Sequence, residues 1–211
     1  MKNYHVFPAV VFALLCLTGC AGRSPQPSYY LLGEEQPVVA PLPGNRPAVV
    51  LHQFVLPSYL DRESLVLRTN DAVEIVVAAY HLWAEPLNKA APRLLEESMR
   101  PLLQEKGLNL LWQDGVDAAL QVDVALLRLD GAPGSSATIS ARWRIVDREG
   151  SLLAQGLFTR ERNAGDSYES MVRALSRLLA EFGGALAQAS GDVYDRLAVQ
   201  KPSGAGKKNK E

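Results

Sequence analysis

The chain has 211 residues, 47% of them hydrophobic and 21% charged, which is the composition of one ordinary folded domain with flexible ends. Its 22 basic and 23 acidic residues give a net charge of −1, and no basic excess outside the last eleven residues suggests nucleic-acid binding. With two cysteines and three histidines there is little material for thiolate metal sites or a disulfide framework.

The N-terminus is read first, because targeting segments are excluded from fold reasoning. Lys2 precedes an uncharged apolar run of twelve, residues 6–17 (VFPAVVFALLCL). That is short of the ~20 residues a permanent membrane helix needs, and it suits the h-region of a signal peptide. Leu17-Thr18-Gly19-Cys20 then resembles the bacterial lipobox, in which small residues expose the cleavage site and the thiol accepts a diacylglycerol. The expected product begins at Cys20 and carries several acyl chains, enough for stable anchoring. Ala21 follows the cysteine; an aspartate there would usually signal inner-membrane retention, so the outer membrane is expected. Cys16 leaves with the signal peptide, and the mature chain keeps no free thiol. Cleavage removes only Lys2 among the charges, for a net of 21 − 23 = −2. The last eleven residues hold four lysines and one glutamate, so residues 20–200 carry 17 − 22 = −5.

The expected organisation is a signal peptide over 1–19, a lipidated proline-rich tether over 20–47, a folded domain over 48–190 and a flexible basic tail over 191–211. Within the tether, Ser28-Tyr29-Tyr30-Leu31-Leu32 has the β-propensity of a short edge strand. Strands are predicted over 49–55, 65–68 and 73–79. A helix is predicted within 86–106, with Leu87, Ala91, Leu94, Leu95, Ser98 and Leu102 on one face and Gly107 as terminator. Pro92 is assigned to its first turn and Pro101 to a kink. Residues 118–127, 137–145 and 152–162 alternate as an antiparallel meander, the last presenting Leu152, Ala154 and Phe158. The final helix is predicted to start at an Asp166 cap, with Tyr168, Met171, Val172, Leu175, Leu178, Leu179, Phe182 and Leu186 on one face. The fold class is therefore an α/β (α+β) sandwich, a mostly antiparallel sheet with two amphipathic helices packed on one face.

Two blocks exceed periodicity. One is Pro57-Ser58-Tyr59-Leu60-Asp61-Arg62, leading into Leu65-Val66-Leu67-Arg68; the other is Trp83-Ala84-Glu85-Pro86-Leu87. With Tyr29-Tyr30-Leu31 they resemble the ABC-type transport auxiliary lipoproteins, the paraquat-inducible protein C-like family, over residues 20–189. Relatives often carry an arginine before the tryptophan, where this chain has Leu82. The resemblance implies a non-enzymatic outer-membrane lipoprotein that assists a mammalian-cell-entry (MCE) type, ABC-linked lipid transport system. Its partner would be the periplasmic MCE-domain protein, with homo-oligomers possible in such systems. The rival readings are an assembly or plug lipoprotein of an outer-membrane barrel and a periplasmic lipid carrier.

The candidate partner-binding residues are Tyr59, Leu60, Asp61, Arg62, Trp83 and Glu85, with Cys20 the lipidation site. Read singly, each fits a structural turn as well as an interface; Asp61 could pair with Arg62 or Arg68. No catalytic residue is assigned. His52 and His81 remain after cleavage without a zinc motif, and no G-x-S-x-G elbow occurs. Gly204-Ala205-Gly206-Lys207 lacks the context of a phosphate loop. Glu96 and Glu97 are expected on a solvated helix surface, and no cofactor is expected beyond the lipid on Cys20.

Overall fold

The computed structural model describes residues 25–33, 40–69, 73–111 and 118–200. Cys20, the expected signal peptide and residues 201–211 lie outside the described residues, whereas residues 191–200, expected to be flexible tail, are the end of the last helix. The elements in chain order are β1 (Ser28–Tyr30), β2 (Ala48–Val55), β3 (Ser64–Leu67), β4 (Val76–Trp83), α1 (Leu87–Glu105), β5 (Asn109–Leu111), β6 (Leu120–Gly131), β7 (Ser135–Val146), β8 (Leu152–Gly165) and α2 (Tyr168–Gln200). The α/β layering is as expected: α2 lies over β6, β7 and β8, α1 over β2 and β5, and the helices pack on each other.

The sheet corrects one expectation. β6, β7 and β8 form the antiparallel meander, but β1–β4, β2–β5, β2–β6 and β3–β6 are parallel, so most pairings are parallel. The turn chemistry at Gly134 and Gly150, both at positive φ, dictates hairpins only locally. Elsewhere α1 carries the chain back across the sheet, which is what parallel neighbours require.

β6 is the trunk. On one edge it pairs with β7 along nearly its whole length. On the other edge Val55 of β2 lies beside Ala125, and Leu67 of β3 beside Gly131. Between those registers one chain advances twelve residues while β6 advances six. β2 and β3 are thus two pieces of one line along β6, and the excess is looped out at residues 57–63. The first sequence block is that excursion.

β4 begins at Val76, not at residue 73, and ends at Trp83. The backbone explains its end: the Trp83 N–H donates to the Glu63 carbonyl at 2.7 Å, and Ala84 N–H to Tyr30 O at 2.8 Å. β1 is the edge strand, with Tyr30 beside Trp83. Its attachment is reinforced by Tyr30 Oη, 2.8 Å from His81 Nδ1, and by the His81 ring stacked on Tyr168 at 3.5 Å. Leu32, just beyond β1, is buried in the core.

α1 runs through both prolines, so Pro92 lies well inside the helix and not in its first turn. The apolar surface of Pro92 is buried, which offsets part of the lost backbone bond. Leu102 is exposed, while Met99 and Leu103 point inward. Gly107, at φ +73°, ends the helix in a Schellman arrangement: Leu108 N–H donates to Leu103 O and Gly107 N–H to Gln104 O, both at 2.9 Å. Ser167, not Asp166, caps α2. Its Oγ accepts from the Ser170 N–H, and Ser170 Oγ accepts from the Ser167 N–H, a reciprocal pair 3.1 Å each way.

The stripe from Met171 to Leu186 is buried as predicted, with Tyr168 half-buried beside it. Leu152, by contrast, is exposed, and Ala154 and Phe158 alone of the predicted β8 set pack on the core. The helices approach closely at Gly183, where an added Cβ would sit 2.8 Å from Ser98 Cβ and 3.0 Å from Leu95 O. Gly183→Val is therefore expected to force the helices apart and cost ~1–3 kcal/mol by urea titration, despite the better helix propensity of valine.

Candidate functional site

The two sequence blocks meet. The 57–63 excursion and the strand end at residues 82–87 line a notch of about 480 Å³, together with Tyr29. Its walls are Tyr29, Leu82, Trp83, Ala84, Pro86 and Leu87, with Asp61, Arg62 and Glu63 at its lip. The Trp83–Glu63 backbone bond holds the walls together.

Within the excursion, Leu60 N–H donates to Pro57 O and Asp61 N–H to Ser58 O, closing tight turns. The turns drive Leu60 into the core at 2% exposure and leave Asp61 and Arg62 exposed. Trp83 is buried at 8%, so it offers the notch little surface. Asp61 Oδ1 accepts from Asn88 Nδ2 at 3.1 Å, in place of the arginine pairing anticipated for it. Glu85 Oε2 accepts from Arg93 Nη2 at 2.9 Å, and Arg93 also donates to the Leu32 carbonyl and to Glu97. The Arg93 guanidinium is held above its ordinary pKa chiefly by the Glu85 bond. Of the six candidates, only Asp61 and Arg62 are fully open to a partner at the notch lip.

Tyr59 has another task. Its hydroxyl donates to Asp130 Oδ2 at 2.8 Å, and Arg68 lies over its ring at 5.2 Å. Asp130 is completely buried. Its other oxygen accepts from Arg128 Nε at 2.7 Å, and Arg68 Nε stands 3.5 Å from the carboxylate, near enough for charge pairing without a hydrogen bond. Burial and the Asp130 charge hold the Tyr59 phenol well above its ordinary pKa. Asp130 thereby pins the excursion to the trunk strand. Nothing in periodicity marks this aspartate, since the alternation breaks at Leu126-Leu127 and the predicted strand stops at 127.

A second groove, about 700 Å³, runs between β2 and α1 and includes Leu51, Phe54, Pro92, Lys89, Arg100 and Glu96. The expectation that Glu96 is solvated is overturned: only 7% of it is exposed. Burial raises its pKa from 4.5 to about 8, against a lowering contribution from Arg100. A carboxyl group raised on folding binds protons more tightly in the folded state, so stability falls as pH climbs from 4.5 towards 8. Glu96→Gln should melt above the wild type at pH 8, with the curves converging below pH 4.5 in thermal scans across pH.

His52 Nδ1 lies 2.9 Å from Asp123 Oδ1, and Arg144 Nε donates to Asp123 Oδ2 at 2.7 Å. Both histidines among the described residues, His52 and His81, therefore have structural partners. Among the described residues, no group of three or more His, Cys, Asp or Glu is placed to hold a metal ion. No helix among them is long and apolar enough to cross a membrane.

An eight-stranded mixed sheet backed by two helices, with a preformed notch at one wing, defines a small α/β domain. The model of the ABC-type transport auxiliary lipoprotein component matches residues 30–187, and the chain belongs to that family. A solved structure described as an uncharacterized protein is 27% identical, with a TM-score of 0.65 over 78% of this chain and 99% of its own. Protein XCC0632 from Xanthomonas campestris is 14% identical, with a TM-score of 0.61 over 81% and 99% of the two chains, and shares the fold. Among curated proteins, none matches the chain. Membership places the chain among transport-associated lipoproteins, which are membrane-anchored in the cell envelope.

Proposed function

We propose that the chain is a non-enzymatic lipoprotein of the outer membrane, anchored through acyl chains on Cys20, that docks on the periplasmic MCE-domain protein of an ABC-linked lipid transport system. The observation that carries this reading is the convergence of the two blocks on one notch, with Asp61 and Arg62 as its exposed charged lip. An apolar patch ringed by polar residues is the usual anatomy of a specific protein contact. The second groove has Lys89, Arg93, Arg100, Glu85 and Glu97 beside its apolar residues, so five charged side chains border the path an acyl chain would take. This weighs against the carrier reading.

Two experiments test the proposal. Cys20→Ala should abolish incorporation of a fatty-acid analogue in growing cells, and persistent labelling would remove the lipid anchor from the account. Asp61→Arg combined with Arg62→Glu should reduce capture of the MCE protein at least tenfold with Tm unchanged, since exposed pairs contribute little to folding. Tyr59→Ala should instead lower Tm, because it strips Asp130 of a hydrogen bond.

A further inference from the structure

Large hydrophobic residues exposed on this domain are not scattered evenly. Of the twelve among the described residues, Val73, Val76, Val77 and Tyr80 fall within eight consecutive positions at the start of β4. Val76 and Val77 are neighbours in the strand, at 55% and 41% exposure, so both faces of the sheet are apolar and open there. β3 pairs with one edge of this stretch, Val66 with Val77 and Leu67 with Val76. β1 pairs with β4 only from His81 onward.

The direction of the tether decides what this patch meets. β1 is parallel to β4, with Ser28 beside His81, so the chain leading back to Cys20 departs on the side where β4 begins. Cys20 precedes Ser28 by eight residues, a span of ~25 Å in polyproline geometry and ~29 Å at full stretch. The sheet is five strand spacings wide from β1 to β8, ~24 Å. Turning the β8 edge to the membrane would thus use nearly the whole tether. Laying the start of β4 on the membrane leaves the tether slack.

Resting on the reading that Cys20 is lipidated, we propose that Val73, Val76, Val77 and Tyr80 form a membrane-contact patch on the lipid surface in which the chain is anchored. Valines enter the headgroup boundary and the Tyr80 ring, 46% exposed, sits where one end is apolar and the other wet. The notch lies at the opposite end of the same strand. The patch therefore turns the docking lip away from the lipid, towards the periplasmic space.

The test uses the full lipidated chain in vesicles of phosphatidylethanolamine and phosphatidylglycerol. Because the mature chain has no free thiol, Val77→Cys, Tyr80→Cys and, on β8, Leu157→Cys each give one labelling position for an environment-sensitive fluorophore. With nitroxide-bearing phospholipid added, labels at positions 77 and 80 should lose most of their emission, and the label at 157 almost none. Equal emission at all three positions overturns the patch while leaving the anchor intact. Disulfide-linked pairs forming between copies through position 77 would mean that a second copy of the chain covers the patch, and would overturn it as well. Absence of lipid on Cys20, read by mass spectrometry of the same preparation, overturns the anchor and the patch together.

Discussion

Asp130→Ala should destabilise the domain by about 3–5 kcal/mol, read as a shift in the urea midpoint with an unchanged slope. The size follows from what is left behind. Asp130 is wholly buried and is met by Arg128, Arg68 and the Tyr59 hydroxyl. Both guanidinium groups are themselves about three-quarters buried, so they cannot regain full hydration when the carboxylate is removed. Asp130→Asn should cost less, since an amide oxygen can still accept from Arg128 or Tyr59. The alanine variant should also loosen the 57–63 excursion before the rest of the chain unfolds, visible as faster amide exchange at Leu60 and Asp61. Equal exchange rates in both proteins would mean that the turns hold without the pin.

Leu175→Asp should be more severe, and the variant should fail to reach a cooperatively folding state at neutral pH. Leu175 is 1% exposed in the middle of the α2 stripe. Losing a buried leucine side chain alone costs ~2–5 kcal/mol, and the carboxylate then has to be protonated or hydrated inside the helix–sheet interface. Together these approach the ~5–15 kcal/mol that holds a typical domain folded. A cooperative thermal transition near the wild-type Tm would show that α2 is not the keystone of the core.

α2 was readable from the chain alone because its stripe keeps helical spacing for four turns and its apolar residues face one layer. The meander was readable for a similar reason: Leu120, Val122, Val124 and Leu126 alternate cleanly, as do Ile139, Ala141 and Ile145, and all of these are buried. The parallel pairings were not readable. β1 and β5 are three residues long and β3 is four, so their partners are set by where α1 and the excursion deliver the chain and not by any pattern of their own. Pro92 misled because proline is judged by the bond it removes, while its buried ring contributes packing. Glu96 misled because Glu-Glu on a helix resembles solvent-facing sequence; only the crossing of α1 over β2 buries the first of the pair.

The candidate site was half readable. The blocks at 57–62 and 83–87 were distinctive in sequence, and their union in one notch required the sheet. What sequence could not separate was the exposed pair Asp61 and Arg62 from the neighbours that build the scaffold. Leu60 and Trp83 face inward, Tyr59 serves Asp130, and Glu85 serves Arg93. Asp130 itself lies beyond the predicted end of the strand at 127 and offered no signal.

The central claim is that the notch lip meets the MCE-domain protein of a transport system. The most direct measurement places a photo-crosslinking residue at Arg62 in the full-length chain, irradiates intact cells, and identifies the captured protein by mass spectrometry. The same residue at Leu157 on β8 serves as the control. The account predicts that position 62 captures an MCE-domain protein and position 157 does not. Capture of an outer-membrane barrel component at position 62 in its place would contradict the account and favour an assembly or plug role.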